Sequence, residues 1–312
     1  MKFGVLGCGA EGGLFAGYLS KAGHDVYAYD IDERLVEKID EDGIHVVQND
    51  STEFTAPVEA SVDPTVLEGT DVVFVYVRAH QTADAMDAVS EIINDEMRFA
   101  TLQNGFRNCE VIGEFVPDEN VFGGYTEIGA DYRYDSDGGI VVGSVVQHGD
   151  GDTGIGGPDE EFAATLAETL TEAGIETSVV DDRRAGIWNK QLVSVAIKPI
   201  AGLCELKNGE MVECAETRAL MRKLIDETIS VFEAEGVPVY QTDPVEHTFE
   251  ICRRNAEKKS SILTDVENER TSEIDEINGF IAERGAELGV ETPHNAITWN
   301  LVTGKEFGYT RQ

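Results

Sequence analysis

The hydrophobic pattern of the first half of the chain alternates between short apolar runs and helical spacing. Residues 2–6 form an apolar run that predicts a buried strand, and residues 25–29 predict a second one. The helix predicted between these strands places its apolar residues on one face, at Leu14, Phe15, Tyr18 and Leu19. The β-branched and aromatic run over 71–77 is typical of a strand buried within a parallel sheet.

Further elements continue this alternation. The pattern predicts helices over 32–41, 81–93 and 159–173 and strands over 98–102 and 176–180. Residues 121–156 differ, because they are rich in glycine and β-branched residues and carry Asp-Gly pairs at 137–138 and 150–151. Such pairs favour tight turns, so we expect antiparallel hairpins in this stretch.

Helical periodicity dominates from about residue 184. The predicted helices cover 184–203, 214–235, 243–258, 271–288 and 292–304. The fold class expected is therefore α/β, with an N-terminal Rossmann-like, doubly wound domain followed by an all-helical C-terminal domain. We assign residues 1–183 to dinucleotide binding and 184–312 to substrate binding and catalysis. We expect the chemistry at the carboxyl ends of the strands, in a cleft between the two domains.

The turn after the first predicted strand carries the glycine spacing of a dinucleotide-binding unit. Gly7 permits a tight turn, Gly9 lets the backbone approach a pyrophosphate, and Gly12 allows close packing of helix and strand. The following helix N-terminus offers N–H groups and a positive dipole end to phosphates. The predicted cofactor-binding residues of this loop are Gly7, Cys8, Gly9, Ala10, Glu11 and Gly12.

Two acidic residues bear on the choice of cofactor. Asp30 ends the second predicted strand about 20 residues past the glycine loop, where such folds place the carboxylate that binds the adenosine ribose. A carboxylate there would repel a 2′-phosphate, so we expect NADH to be favoured over NADPH. The alternative is that Asp30 is a solvated acid. Glu11 could place charge near the pyrophosphate or point to solvent, and the sequence leaves this open.

A dinucleotide site predicts hydride transfer, and reduction of a ketone requires a cation or acid near the oxygen. Lys190, Ser194 and Lys198 are spaced i, i+4, i+8 and therefore share a helix face. Two lysines on one face of an otherwise apolar helix are unusual in a chain with few lysines. The alternative is that these lysines extend along a helix surface towards solvent.

The charge balance limits the partners. The chain of 312 residues has 60 acidic against 24 basic residues, a net charge of −36, spread along its whole length. Phosphate recognition needs clustered cations, so nucleic acid and anionic membranes are not expected partners. So large a charge predicts a protein of a high-salt cytoplasm, and the alternative is a mildly acidic mesophilic enzyme. A strand starting at residue 2 and the lack of a long apolar run predict no targeting or membrane segment.

The cysteines and histidines point to no further chemistry. The five cysteines are scattered and form no C-x-x-C pair, so reduced and mostly buried thiols are expected. The six histidines show no metal-ligand spacing, and we predict no metal site. The sequence also lacks G-x-S-x-G, so a hydrolase of that type is not supported.

Several short motifs resemble those of the ketopantoate reductase (2-dehydropantoate 2-reductase) family, almost from end to end. Besides the glycine loop they are Gly23-His24-Asp25-Val26, Gln103-Asn104-Gly105, Trp188-x-Lys190, Ile197-x-Pro199, Asn208-Gly209-Glu210, Arg218-Ala219-Leu220-Met221, Ser260-Ser261 and Glu273-Ile274-Asp275-x-x-Asn278-Gly279. Together they are far more specific than the glycine loop alone.

The resemblance implies roles at the matching positions. Lys190 resembles the general acid that protonates the keto oxygen, and Glu273 resembles the carboxylate that orients the substrate. Asn104 and Ser261 resemble hydrogen-bonding groups for cofactor and substrate. Each has a structural alternative: Glu273 as an acid at a helix N-terminus after Thr271, Ser261 as a cap, and Asn104 as a turn former.

The chain also departs from the family pattern. Ser194 and Lys198 stand where the family usually has asparagines, and we assign both to the substrate site. The added cation at Lys198 should favour the deprotonated form of Lys190, or it could signal a different 2-oxo acid. Arg78, where the family often has lysine, and Gln81 are assigned to the cofactor. Members that use NADPH commonly have an arginine just after the second strand, a region that reads Asp30-Ile31 here.

The resemblance implies reduction of ketopantoate to pantoate for pantothenate and coenzyme A biosynthesis, with NADH favoured. One alternative is reduction of another branched or hydroxylated 2-oxo acid. Another is a dinucleotide-binding regulator without catalysis, although a sensor needs no general acid. The expected partner is a small-molecule 2-oxo acid, and a homodimer is a further expectation.

Overall fold

The computed structural model describes residues 1–309, and the chain divides into two units. One comprises Met1–Gln103 with Arg107–Gly186, and the other comprises Asn104–Phe106 with the chain from Ile187 onwards. The first is α/β with a mainly parallel sheet and the second is helical, which confirms the predicted fold class. The domain assignment to 1–183 and 184–312 stays a prediction.

The first unit is built on an eight-stranded sheet. Its strands are β1 (Lys2–Leu6), β2 (Asp25–Tyr29), β5 (Glu59–Ser61), β6 (Val72–Val75), β7 (Arg98–Thr101), β8 (Val121–Thr126), β11 (Thr153–Gly156) and β12 (Thr177–Val179). The order is β12-β11-β8-β7-β6-β1-β2-β5, and each neighbouring pair is parallel except β8 with β11. Strands β1 and β6 are nearly completely buried, as their continuous apolar runs predict.

A second, smaller sheet has the order β4-β3-β10-β9. Its strands are β3 (Ile44–Val47), β4 (Glu53–Ala56), β9 (Gly129–Tyr134) and β10 (Ile140–His148). This sheet packs on helix α1 (Ala10–Lys21), where glycines allow close approach. A Cβ on Gly17 would lie only 2.7 Å from the Val46 side chain, and a Cβ on Gly13 would lie 3.3 Å from Val145. Helix α1 is therefore buried between the two sheets.

The remaining helices of this unit are α2 (Glu33–Asp42), α3 (Thr82–Ala88), α4 (Asn108–Gly113) and α5 (Glu160–Glu172), with short 3₁₀ turns at Pro64–Leu67, Ala79–Gln81, Ser90–Ile92 and Asp118–Asn120. The single helix predicted over 81–93 is wrong, since α3 is flanked by two of these turns. Asp137-Gly138 joins β9 to β10 as a hairpin, as predicted. Asp150-Gly151 instead leads from β10 to β11, which lie in different sheets, so the second hairpin is wrong.

The helical elements are α6 (Arg183–Cys204), α7 (Asn208–Glu213), α8 (Ala215–Glu235), α9 (Pro244–Arg254), α10 (Ser261–Glu267), a π-helical turn (Asp275–Gly279), α11 (Phe280–Leu288) and α12 (Pro293–Phe307). The helix predicted over 243–258 ends early, because Asn255 leaves helical geometry. The continuous helix predicted over 271–288 contains the π-turn, and α7 and α10 were not predicted. No helix within 1–309 is both long and apolar enough to span a membrane.

Candidate active site

The glycine loop has the geometry that its sequence predicts. Gly7 adopts φ of 90°, and its N–H donates to the carbonyl of Tyr29 over 2.9 Å. A Cβ on Gly12 would lie 2.1 Å from the carbonyl oxygen of Gly7, so any side chain at that position would displace the loop. These two glycines bring the end of β1 directly against the start of α1.

The start of α1 fits a diphosphate. Its N-cap is Gly9, which has no side chain to cap the helix, and the N–H groups and positive dipole end of the first turn favour an anion at this position. Among the atoms of residues 1–309 outside the chain neighbours Cys8 and Ala10, only the Tyr132 hydroxyl comes within 4 Å of the position of a Cβ on Gly9. Glu11, in the first turn, acts on the buried Tyr76 hydroxyl and raises its pKa further, after the larger effect of burial. The loop therefore fits a dinucleotide.

Asp30 links the glycine loop to helix α2. One carboxylate oxygen accepts from the Cys8 N–H over 2.8 Å, and the other accepts from the Asp32 N–H over 3.0 Å. Asp32 in turn caps α2, accepting from the N–H groups of Arg34 and Leu35. Asp30 therefore has a structural role in addition to the predicted ribose contact, and each of its oxygens keeps a lone pair for a ribose hydroxyl.

Gln103 holds the backbone that leads to Arg78. Its buried amide donates to the Val77 carbonyl and, over 3.3 Å, to the Thr82 hydroxyl, while its oxygen accepts from Thr101 over 2.7 Å. Arg78 precedes the 3₁₀ turn, and Gln81 closes that turn by donating its N–H to the Arg78 carbonyl over 2.8 Å. The Gln103 side chain thus connects the carboxyl ends of β6 and β7.

The structure brings Lys190 and Asn104 together in the helical unit. The Lys190 ammonium donates to the Asn104 carboxamide oxygen. Phe106 follows Asn104 by two residues, and Trp188 precedes Lys190 by two residues. The two aromatic rings pack against each other, with their centroids 5.5 Å apart. Phe232 and Phe280 complete this aromatic cluster. The cluster fixes the spacing between α6 and the segment Asn104–Phe106, and with it the Lys190–Asn104 contact.

The rest of the predicted helix face lies on α6, as expected. Ser194 is buried and Lys198 is half-buried. Asn189 anchors the helix beside Lys190, because its amide donates to the Pro238 carbonyl and its oxygen accepts from the Tyr240 N–H, each over 2.8 Å. Gln191 is completely buried, and its amide atoms have no hydrogen-bond partner within residues 1–309.

A buried carboxylate, Glu306, holds the segment that carries Glu273. Its oxygen accepts from the Ser272 N–H over 3.1 Å and from the Ser272 hydroxyl over 2.5 Å. The same hydroxyl accepts from the Ile274 N–H over 3.3 Å. The backbone is therefore fixed on both sides of Glu273, which is itself buried and precedes the π-turn. π-helical segments are rare and often occur at functional sites.

Pro199 and Asn278 form a second link to α6. Proline has no N–H, so Pro199 leaves the carbonyl of Val195, four residues earlier, without its helical partner. The Asn278 amide donates to that carbonyl over 3.0 Å, and donates to the Asn295 oxygen over 2.9 Å. The Ile197-x-Pro199 and Asn278-Gly279 motifs thus belong to one interaction, which couples α6 to the segment after Glu273.

The Ser260-Ser261 pair divides its roles. Ser260 is buried and caps α10, with its hydroxyl accepting from the Leu263 N–H over 3.2 Å. Ser261 is the first residue of α10 and is exposed, so it is not the cap. Its substrate contact stays a prediction.

Three residues near the predicted site residues were not themselves predicted to contribute to the site. Gln103 could have been found, since it belongs to a recognised motif. Glu306 and Tyr132 lie far along the chain from their contacts, and no local pattern marks them. Within residues 1–309, no group of three or more His, Cys, Asp or Glu side chains is placed to hold a metal ion.

Comparisons with known proteins agree with this architecture. The model of the ketopantoate reductase PanE/ApbA family matches residues 3–159, and that of its C-terminal region matches residues 182–306. A 2-dehydropantoate 2-reductase of Halobacterium salinarum is 31% identical over 297 residues, covering 94% of this chain and 95% of its own length.

Two solved structures are also similar. A PanE/ApbA family ketopantoate reductase from Ralstonia eutropha has a TM-score of 0.90 and 27% identity, covering 99% of this chain and 100% of its own. D-mandelate dehydrogenase, solved with NADH and anilino(oxo)acetate, has a TM-score of 0.90 at 24% identity with the same coverage, and shares the fold. The chain therefore belongs to the ketopantoate reductase PanE/ApbA family, as a 2-dehydropantoate 2-reductase-like oxidoreductase that reduces a 2-oxo acid with NAD(P)H.

Proposed function

We propose that this protein reduces ketopantoate to pantoate with NADH, for pantothenate and coenzyme A biosynthesis. The observation that carries the proposal is the pairing of the Lys190 ammonium with the Asn104 carboxamide, held by the aromatic cluster. The full-length similarity to a 2-dehydropantoate 2-reductase supports the choice of substrate.

A dinucleotide held by the glycine loop would supply the hydride that C2 of the substrate receives. Lys190 donates a proton from Nζ to the keto oxygen as negative charge develops there, so that the new hydroxyl group forms uncharged. Lys190 then regains a proton from water. Before the transfer, Asn104 holds the ammonium in place, which reduces the number of orientations that the acid must search.

Other residues position the substrate. Glu273 accepts a hydrogen bond from the substrate hydroxyl, and Glu306 and Ser272 keep the backbone around it fixed. Ser261, Ser194 and Lys198 provide hydroxyl groups and a cation for the remaining oxygens, including the carboxylate. Asn104 and Gln81 contribute hydrogen bonds to the cofactor, and Arg78 offsets the charge of its phosphates. These residues act together with the loop Gly7–Gly12.

Asp30 supports the preference for NADH. Its carboxylate is fixed by two backbone N–H groups, so it cannot turn away from a ribose without breaking them. The next residue, Ile31, is 81% exposed and offers no charge to a 2′-phosphate. Phosphate and carboxylate would repel each other at this position.

A second candidate is reduction of another branched or hydroxylated 2-oxo acid. It is favoured by Ser194 and Lys198, which replace uncharged amides of the family with a shorter hydroxyl and a cation. A catalytically inactive regulator would have no use for the ordered Lys190–Asn104 pair.

The test is to mix the purified protein, NADH and ketopantoate in molar KCl and to follow the nicotinamide absorbance. Turnover of ketopantoate well above that of other 2-oxo acids supports the first function. Turnover only with another 2-oxo acid supports the second, and binding of NADH without turnover of any supports a regulator. Repeating the assay at lower KCl concentrations tests whether the protein requires concentrated salt, which we propose from its net charge of −36. Its mass in that buffer tests the expected homodimer.

A further inference from the structure

Tyr132 lies on β9 of the second sheet, far along the chain from the glycine loop. Its hydroxyl oxygen is 3.1 Å from the position that a Cβ on Gly9 would occupy. Gly9 is the residue whose missing side chain lets a pyrophosphate approach the backbone. Tyr132 also lines a small cavity together with Cys8, Gly13 and Ser144.

The placement follows from the packing of the second sheet on α1. Gly13 and Gly17 allow that sheet to approach the helix closely, and the approach carries β9 over the first turn of α1. The ring of Tyr132 is half-buried there. A hydroxyl group therefore lies beside the N-terminus of α1, where the N-cap residue is Gly9.

Two charged residues from the part of the chain that forms the eight-stranded sheet, Asp30 and Arg78, act electrostatically on this hydroxyl. Burial raises the pKa of Tyr132 most, the Asp30 carboxylate raises it further, and the Arg78 guanidinium opposes both. The phenol is therefore protonated at neutral pH and can donate a hydrogen bond. Asp30 and Arg78 are also the residues assigned to the ribose and to phosphate charge, so the hydroxyl shares their surroundings.

We propose that Tyr132 is a cofactor-binding residue whose hydroxyl donates to an oxygen of the ADP-ribose half of the dinucleotide, beside Gly9. The second sheet then contributes directly to the cofactor site in addition to covering α1. This inference rests on the proposed function, because it requires that a dinucleotide binds the glycine loop.

Binding titrations of NADH and of ADP-ribose test the proposal with Tyr132→Phe, which keeps the ring and removes the hydroxyl. Both ligands should bind about tenfold more weakly, as expected for loss of one hydrogen bond to a charged group. The two losses should be equal, since ADP-ribose lacks only the nicotinamide. The control is Tyr134→Phe, on the same strand and 50% exposed, which should leave both affinities unchanged.

Unchanged affinity of Tyr132→Phe for both ligands would overturn the proposal. So would tighter binding by Tyr132→Ala, because the ring would then be blocking the loop. A loss for NADH alone would also contradict it by placing the contact at the nicotinamide. If the wild-type protein binds neither ligand, the proposed function itself fails. If the wild-type protein binds both ligands and Tyr132→Phe binds them equally well, only the role of Tyr132 fails.

Discussion

The link between Pro199 and Asn278 predicts a specific non-additivity between two substitutions. Asn278 is completely buried and donates to the Val195 carbonyl that Pro199 leaves without a helical partner. Asn278→Ala removes this donor and also the bond to Asn295. Pro199→Ala supplies a new N–H at the position from which a helix normally bonds the carbonyl of Val195.

The magnitude follows from the cost of an unpaired buried group. Leaving the Val195 carbonyl without a partner costs about 1–3 kcal/mol of unfolding free energy, and loss of the second hydrogen bond adds about 1 kcal/mol. In the Pro199→Ala background the carbonyl keeps a partner, so only the second loss remains. Asn278→Ala should therefore cost about 1–3 kcal/mol less in that background than in the wild-type protein.

Urea unfolding of the four proteins in molar KCl measures this coupling. Tryptophan fluorescence reports on the helical unit alone, because both tryptophans, Trp188 and Trp299, belong to it. Asn255→Ala is a matched control: its amide also donates to a helical carbonyl, that of Ile251, but in an exposed position. Equal costs of Asn278→Ala in both backgrounds would refute the reasoning, as would equal coupling for the control.

Three other predictions follow from single sites. Burial raises the pKa of Glu306 above its ordinary value of 4.5, so its ionisation opposes folding and its contribution to stability is lost as pH rises through the raised pKa. Glu306→Gln keeps an acceptor but does not ionise, so its unfolding free energy relative to wild type should increase over the same pH range. Urea unfolding at a series of pH values measures this difference, and parallel pH profiles of the two proteins would contradict it. A thiol reagent should label exposed Cys204 in the folded protein well before Cys252, since burial raises the pKa of Cys252 to about 11, and mass spectrometry of the labelled peptides checks the order. Asp30→Ala should lower the ratio of kcat/KM for NADH to kcat/KM for NADPH, and Asp30→Asn should lower it less because the amide keeps one acceptor. An unchanged ratio in both variants would refute the ribose contact.

Local signals in the sequence account for the glycine loop and its strand. Gly7, Gly9 and Gly12 have roles that depend on their own backbone and near neighbours, so a spacing rule is sufficient to predict them. Helical periodicity likewise predicts that Lys190 and Ser194 share a face of α6. These features need no knowledge of distant contacts.

The features that were missed depend on distant pairings. The second sheet pairs β3 with β10, about a hundred residues apart, and its position alone places Tyr132 at Gly9. Glu306 reaches Ser272 across 34 positions, and Asn278 reaches Val195 across 83. No periodicity encodes such partners. The prediction of a hairpin at Asp150-Gly151 was wrong for the same reason, since a turn signal does not specify which sheet the next strand joins.

Lys190→Ala tests the central claim most directly when turnover and NADH binding are measured on the same preparation. If Lys190 is the general acid, the variant should lose kcat by about 10²–10⁴-fold while its affinity for NADH stays within about twofold of wild type. A variant that retains most of its turnover, or that loses NADH affinity in proportion to turnover, would contradict the assignment of Lys190 as the proton donor.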